Sequence, residues 1–141
     1  MPGRSRGPSP PQATPQLTRR ELATVLLIDD SPLQLRAREA VLRMAGFETH
    51  IATSAESALA LLRAESVGGR IDAVITDHIM PHTSGAEFVR ALRRINAVVP
   101  VIVVTGMAEA ENDYQGLNVI FLQKPCPPEE LIAVVREAVS A

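Results

Sequence analysis

Short runs of aliphatic and β-branched residues alternate with segments of helical periodicity along most of the chain. The first run, 25–28, is apolar at every position and is followed by Ser31, a favoured helix N-cap, and Pro32, which suits the first helical turn. A helix-period segment then continues to Gly46, a residue type that commonly ends helices. This pattern predicts a strand followed directly by a helix.

The same alternation recurs along the rest of the chain. It predicts further strands at 48–52, 73–76, 101–104 and 119–122, and helices at 55–64, 86–95 and 128–139. The last helix has an apolar stripe at spacings 0, 3, 4, 7 and 8, formed by Leu131, Val134, Val135, Ala138 and Val139. Segment 107–117 offers little apolar stripe, so we expect only a short or mobile helix there. The chain therefore contains five predicted βα units, of which the fourth has the weakest helix.

Strands of four or five nearly all-apolar residues are typical of parallel sheets that are buried on both faces. Parallel neighbours joined by helices require right-handed crossovers, which place helices on both sides of the sheet. The expected architecture is an open, doubly wound α/β sheet. Such sheets bind ligands at the carboxyl ends of their strands, so we expect the chemistry of this chain to lie there.

Composition indicates one globular domain preceded by a polar arm. The chain has 141 residues, of which 46% are hydrophobic and only 3% aromatic, so aliphatic residues must build the core. Residues 1–20 contain five Pro, two Gly and four Arg with almost no apolar side chains, which predicts a disordered arm. The predicted domain is 21–141.

Charge and cysteine content restrict the functional class and the compartment. Residues 21–141 contain ten basic and sixteen acidic residues, a net charge of −6 that disfavours direct nucleic-acid binding. Cys126 is the single cysteine and cannot form an internal disulfide. No apolar stretch is long enough for a secretory signal or a membrane span. A cytoplasmic location is therefore expected.

Polar residues suited to one reaction follow the predicted strands. Asp29 and Asp30 follow the first strand, Asp77 the third, Thr105 the fourth and Lys124 the fifth. Each residue alone could serve as an ordinary cap, turn or surface residue. At the carboxyl ends of neighbouring parallel strands, they instead converge on a single cleft.

Three carboxylates in one cleft repel each other unless a cation lies among them. Oxygen-only ligands favour Mg²⁺. His78 and His82 raise the alternative of zinc, but Pro81 interrupts helical spacing and no cysteine pair accompanies them, so we expect solvated loop histidines. With the charge neutralised, Asp77 can attack phosphorus while the Thr105 hydroxyl and Lys124 ammonium hold phosphoryl oxygens.

These residues resemble the signature motifs of the receiver domains of two-component response regulators, the chemotaxis-regulator-like receiver family. The resemblance covers about residues 22–139 and rests on four separated motifs: Asp29-Asp30, Asp77-x-x-Met80-Pro81 with Gly85, Val104-Thr105-Gly106, and Lys124-Pro125. It implies a flavodoxin-like, five-stranded parallel sheet of order 2-1-3-4-5. It also implies a cis peptide bond between Lys124 and Pro125.

By position, the resemblance implies that Asp77 is the phosphoacceptor and Asp30 a direct metal ligand. Asp29 would act on the metal largely through water, and the backbone carbonyl of Ile79 would complete the protein ligands. Thr105 would then form a conformational switch with Phe121, the aromatic residue of the fifth strand. The implied phosphodonor is a sensor histidine kinase or a histidine phosphotransfer protein.

The implied function is that of a stand-alone receiver, monomeric or weakly dimeric, that signals to a downstream protein and catalyses only its own phosphotransfer and dephosphorylation. Other classes fit less well. Aspartate-nucleophile phosphatases place a second Asp where this chain has Ile79, and no Gly-x-Gly-x-x-Gly motif follows a strand as dinucleotide-binding enzymes require. A receiver-like module that is never phosphorylated is disfavoured by the complete set of Asp77, Thr105 and Lys124.

Overall fold

The computed structural model describes residues 23–64, 70–80, 82–106 and 110–140. Within these ranges strands and helices alternate. The strands are β1 (Thr24–Ile28), β2 (Glu48–Ala52), β3 (Ala73–Asp77), β4 (Val101–Thr105) and β5 (Ile120–Gln123). The helices are α1 (Pro32–Met44), α2 (Ala55–Arg63), α3 (Gly85–Ile95), the 3₁₀ helix η1 (Ala110–Tyr114) and α4 (Pro128–Ser140). The predicted arm, 1–20, lies outside the described residues.

The strands form one parallel sheet of order β2-β1-β3-β4-β5, which confirms the predicted fold. All residues of β1, β3 and β4 are buried, as expected for strands covered on both faces. Strands β3 and β4 each extend one residue beyond their predicted ends. Asp77 and Thr105 are therefore the last residues of their strands, where Asp77 pairs with Val104 and Thr105 with Gln123.

Two apolar cores lie on opposite faces of the sheet because successive strand residues point in opposite directions. On one face, Leu26 and Ile28 of β1 share a core with residues of α2 and α3. On the other face, Val25 and Leu27 share a core with residues of α1 and α4. None of the helices in the described ranges is long and apolar enough to cross a membrane.

Local capping residues fix where two helices begin beside the carboxyl edge of the sheet. The Ser31 hydroxyl accepts a hydrogen bond from the Gln34 amide, and Pro32 opens α1 as predicted. At α3, Ser84 and Glu87 form a reciprocal capping box, in which each side chain accepts a hydrogen bond from the other's backbone amide. The loops that follow β1 and β3 therefore end at the N-caps Ser31 and Ser84.

The helix between β4 and β5 is short, as predicted, and its described residues contact the apolar core. Residues 107–109 lie outside the described residues, and η1 occupies the next five positions. Ala110 and Tyr114 are buried, and Leu117 packs against the same core. The helix is therefore short, as expected for segment 107–117, and its buried residues contact the core although the segment shows little apolar stripe.

Candidate functional site

Three aspartates meet at the carboxyl edge of the sheet. Asp29 and Asp30 follow β1, Asp77 ends the adjacent β3, and one oxygen from each carboxylate lies within 4.8 Å of the others. Asp29 and Asp77 are buried, whereas Asp30 is exposed. A set of three carboxylates at this spacing, open to solvent on one side, fits a hard divalent cation such as Mg²⁺ that retains several water ligands.

Both carboxylate oxygens of Asp29 have hydrogen-bond donors. Oδ1 accepts from the Ser31 amide at 2.9 Å, and Oδ2 accepts from the Arg38 guanidinium at 3.0 Å in an ion pair. Burial raises the pKa of Asp29, and the Asp77 charge raises it further, while the Ser31 amide and Arg38 oppose the increase. Asp29 is therefore held in place by α1 and its N-terminal turn.

The Asp77 carboxylate contacts the Lys124 ammonium and the His78 backbone amide. The Lys124 ammonium lies 3.0 Å from Oδ1 and 3.3 Å from Oδ2, and the His78 amide donates to Oδ1 at 3.0 Å. The Lys124 amide donates to the Thr105 carbonyl at 2.9 Å, which anchors Lys124 beside the end of β4. The peptide bond between Lys124 and Pro125 is cis, as the resemblance implied.

The remaining predicted site residues lie around this cluster. Thr105 is buried at the end of β4, next to the strand that carries Asp77. Ile79 lies two residues beyond Asp77 and forms an isolated antiparallel bridge with Ser84. Ile79 is 62% exposed, so the position two residues after Asp77 presents an apolar group to solvent. Phe121 is half-buried on β5, at the far side of β4.

His78 differs from its prediction. His82 is exposed, as expected for a loop histidine, but His78 is buried, and its Nδ1 lies 2.8 Å from the Tyr114 hydroxyl. Its Nε2 is 3.8 Å from Asp113. The one group of three potential metal-ligating side chains found among the described residues, Asp29, Asp30 and Asp77, includes neither histidine.

Tyr114 connects the loop after Asp77 with the predicted switch residue. Its ring packs edge-to-face on Phe121 with centroids 5.3 Å apart, while its hydroxyl contacts His78. Gly85 makes room for this arrangement, because a Cβ at that position would overlap the Tyr114 hydroxyl and lie 2.6 Å from the Asp77 carbonyl oxygen. Burial raises the pKa of Tyr114, and the charges of Asp113 and Asp77 add to the increase.

Arg38 and Tyr114 were missed at the sequence level, although the chain carries signals for both. Arg38 lies between Leu35 and Leu42 at spacings 0, 3 and 7 on the buried side of α1, where a charged residue requires a partner. Tyr114 has the same kind of signal, because Ala110, Tyr114 and Leu117 follow each other at spacings 0, 4 and 7. To predict the role of either residue one must know its neighbour in space, and periodicity alone does not identify that neighbour.

Comparison with known proteins agrees with this geometry. The family model described as "Response regulator receiver domain" matches residues 25–136. Among curated proteins, the chain is 33% identical over 115 residues to the phosphate regulon transcriptional regulatory protein PhoB of Pseudomonas aeruginosa, covering 78% of this chain and 48% of that protein. It is also 33% identical over 118 residues to the sensor kinase CckA of Brucella abortus, covering 82% of this chain and 12% of the kinase. The chain thus spans about half or less of the length of these relatives.

Solved structures show the same similarity over nearly the full length of the matched chains. A response regulator receiver domain protein from Clostridium thermocellum has 29% identity and a TM-score of 0.77, covering 84% of this chain and 95% of that one. The chemotaxis response regulator CheY4 of Vibrio cholerae has 29% identity and a TM-score of 0.72, covering 83% and 98%. Fold, strand-end residues and family match agree, and the chain belongs to the response regulator receiver domain family.

Proposed function

We propose that this chain receives a phosphoryl group on Asp77 from a sensor histidine kinase or a histidine phosphotransfer protein, and that this modification switches a protein-interaction surface. The observation that carries the proposal is the position of the Asp77 carboxylate. It lies 3.0 Å from the Lys124 ammonium and within 4.8 Å of the carboxylates of Asp29 and Asp30. A carboxylate is suited to attack the phosphorus of an anionic phosphoryl group when an ammonium and carboxylates that can bind a metal ion lie beside it.

Asp29, Asp30, Asp77 and the backbone carbonyl of Ile79 would hold Mg²⁺, with Asp29 acting largely through water. The ion supplies positive charge that offsets the charge of the incoming phosphoryl group. The protein's own groups orient the reaction. Lys124 binds a phosphoryl oxygen through its ammonium, and Thr105 donates a hydrogen bond to another oxygen from the end of β4.

In the transfer step, one Asp77 oxygen forms a bond to phosphorus while the phosphorus–nitrogen bond of the donor's phosphohistidine breaks. The electron pair of that bond stays on the imidazole, and the product is an acyl phosphate on Asp77. Lys124 already contacts both Asp77 oxygens, so it must transfer part of its contact to the phosphoryl group as the bond forms. The chain would catalyse only this transfer and the later hydrolysis.

The modification would be read through the neighbouring strands. A phosphoryl group beside Thr105 attracts its hydroxyl, and the space left by that movement admits the ring of Phe121. Because Tyr114 packs on Phe121 and contacts His78, the docked segment 110–117 would respond to the same event. A downstream protein would recognise the changed surface of β5 and η1.

The proposal can be tested by incubating the wild-type protein and Asp77→Asn with acetyl phosphate, with MgCl₂ or with excess EDTA. We expect a mass gain of one phosphoryl group only in the wild-type protein with Mg²⁺, stable to acid and removed by hydroxylamine. Equal gains in both proteins would contradict the assignment of Asp77. No gain in the wild-type protein, either from acetyl phosphate or from a panel of histidine kinases, would favour the unphosphorylated interaction module.

A further inference from the structure

We propose that Arg38 is a built-in counter-ion of the acidic cluster, which competes with the divalent cation and its bound water for Asp29 and thereby sets how strongly the resting protein binds Mg²⁺. The proposal rests on the Mg²⁺ role given above to Asp29, Asp30 and Asp77. It adds a positioning residue that lies on a different element, α1.

The contacts of Arg38 show that its guanidinium is held in place. One nitrogen donates to Asp29 Oδ2 at 3.0 Å, and another donates to the Gln34 side-chain oxygen, also at 3.0 Å. The Arg38 side chain is 15% exposed and that of Asp29 only 2%. An ion pair with so little solvent contact is screened much less than one on the surface. Arg38 therefore acts directly on the charge of the cluster.

A count of formal charges shows why this contact matters. Among the described residues, the carboxylates of Asp29, Asp30 and Asp77 carry three negative charges, and Arg38 and Lys124 contribute two positive charges in direct contact. The cluster is thus near −1 with Arg38 in place, and a divalent cation would bring it to +1. Without Arg38 the cluster would be near −2, and the same cation would neutralise it. Arg38 therefore stabilises the metal-free cluster and weakens the attraction for Mg²⁺.

Arg38 also has somewhere to move when a metal approaches Asp29. Its side chain lines a groove of about 570 Å³ between α1 and the loop after β5, together with Gln34 and Lys124. A guanidinium that leaves Asp29 can therefore remain hydrated in this groove. The exchange of one cation for another at Asp29 requires only a side-chain movement, because the Ser31 amide continues to hold the other Asp29 oxygen.

The test compares Arg38→Gln with Arg36→Gln, which removes the same charge from an exposed position on the same helix. Mg²⁺ affinity is measured by isothermal titration calorimetry, and thermal unfolding is followed in EDTA and in saturating MgCl₂. We expect Arg38→Gln to bind Mg²⁺ about tenfold more tightly than Arg36→Gln, since one positive charge beside the ion is lost. We also expect it to be less stable in EDTA and to gain more from Mg²⁺.

Affinity in Arg38→Gln equal to or weaker than in Arg36→Gln would overturn the proposal, because Arg38 would then only position Asp29 for the metal. Loss of Mg²⁺ binding in every protein, the wild type included, would instead contradict the Mg²⁺ role itself. If Arg38→Gln does not fold, the guanidinium nitrogen resonances of the wild-type protein give the answer. Saturating MgCl₂ should shift the signal of Arg38 and leave that of Arg36 in place, and an unchanged Arg38 signal would contradict the competition.

Discussion

Asp30 is the exposed member of the acidic cluster, and its carboxylate is the one most open to an entering ion. We predict that Asp30→Ala weakens Mg²⁺ binding by about tenfold or more, because it removes a direct carboxylate ligand from an ion that demands near-octahedral oxygen coordination. The metal-free protein should keep its stability, since fewer like charges then face each other.

Calorimetric Mg²⁺ titration and thermal unfolding in EDTA measure both effects. Glu111→Gln is a suitable control, because Glu111 is an exposed acid on η1 outside the cluster. Unchanged Mg²⁺ affinity in Asp30→Ala would reject its role as a ligand.

Ile79, two residues after Asp77, is apolar and 62% exposed, whereas an amide or an acid at this position would be able to orient an attacking water. We therefore predict a long-lived phosphoryl group in the wild-type protein and a several-fold faster loss in Ile79→Asn. The decay of the phosphorylated protein after removal of the donor measures this rate. Ile79→Val serves as the apolar control, and equal decay in all three proteins would show that this position does not control hydrolysis.

The predicted site and the site in the structure differ mainly in the side-chain contacts of single residues. The proximity of Asp29, Asp30, Asp77 and Lys124 was predictable because strand ends are visible in the sequence and parallel strands bring them to one edge. The side-chain contacts of these and neighbouring residues were not predictable, because they join elements that are far apart in the chain. The His78 contact with Tyr114 is one example, because its partners are 36 positions apart in the chain.

At the level of elements, the buried hydroxyl of Tyr114 connects η1 to His78 in the loop after β3. We predict that Tyr114→Phe lowers the free energy of unfolding by about 1–2 kcal/mol, because the hydrogen bond to the buried His78 ring is lost. Urea unfolding measures this loss, and amide hydrogen exchange should accelerate in residues 110–117.

Ser84→Ala provides a control of similar cost on another element. Loss of the α3 N-cap should destabilise the protein by about 1 kcal/mol without selectively increasing exchange in η1. If exchange in 110–117 is the same in Tyr114→Phe and in the wild type, then the ring contact with Phe121 is sufficient to dock the segment.

The raised pKa of Tyr114 predicts that the protein loses stability at alkaline pH. The pKa of Tyr114 is raised above its ordinary value of 10.0 by burial, so the folded state holds the phenol proton more tightly than the unfolded state. Its contribution is therefore fully present below about pH 10 and is lost progressively as the pH rises above that value. The effect should be absent from Tyr114→Phe.

Tyr114 is the only tyrosine, and the chain has no tryptophan, so tyrosinate absorbance reports this one residue. We expect the absorbance to appear together with the loss of helical circular dichroism as the pH is raised. Ionisation near pH 10 in a protein that keeps its helical signal would contradict the buried environment of the hydroxyl.

For the whole molecule, the order of elements and the sheet topology followed from periodicity and from the family motifs, because apolar strand runs of four or five residues leave few alternatives. The strand boundaries in the structure differ from the predicted boundaries by at most one residue. The docking of the segment before β5 was not foreseen, because a five-residue 3₁₀ helix presents too few positions to show a convincing apolar stripe. The tertiary contacts of Tyr114 with His78 and Phe121 were therefore not visible in the sequence pattern.

The proposed phosphoacceptor role of Asp77 depends on the whole domain, because the residues that would support it lie at the ends of four different strands. The most direct measurement is to phosphorylate the wild-type protein in Mg²⁺, reduce the acyl phosphate with borohydride and identify the modified residue by peptide mass spectrometry. Our account predicts homoserine at position 77 and at no other aspartate. Homoserine at Asp29 or Asp30, or a phosphoryl group found instead on His78 or His82, would contradict it.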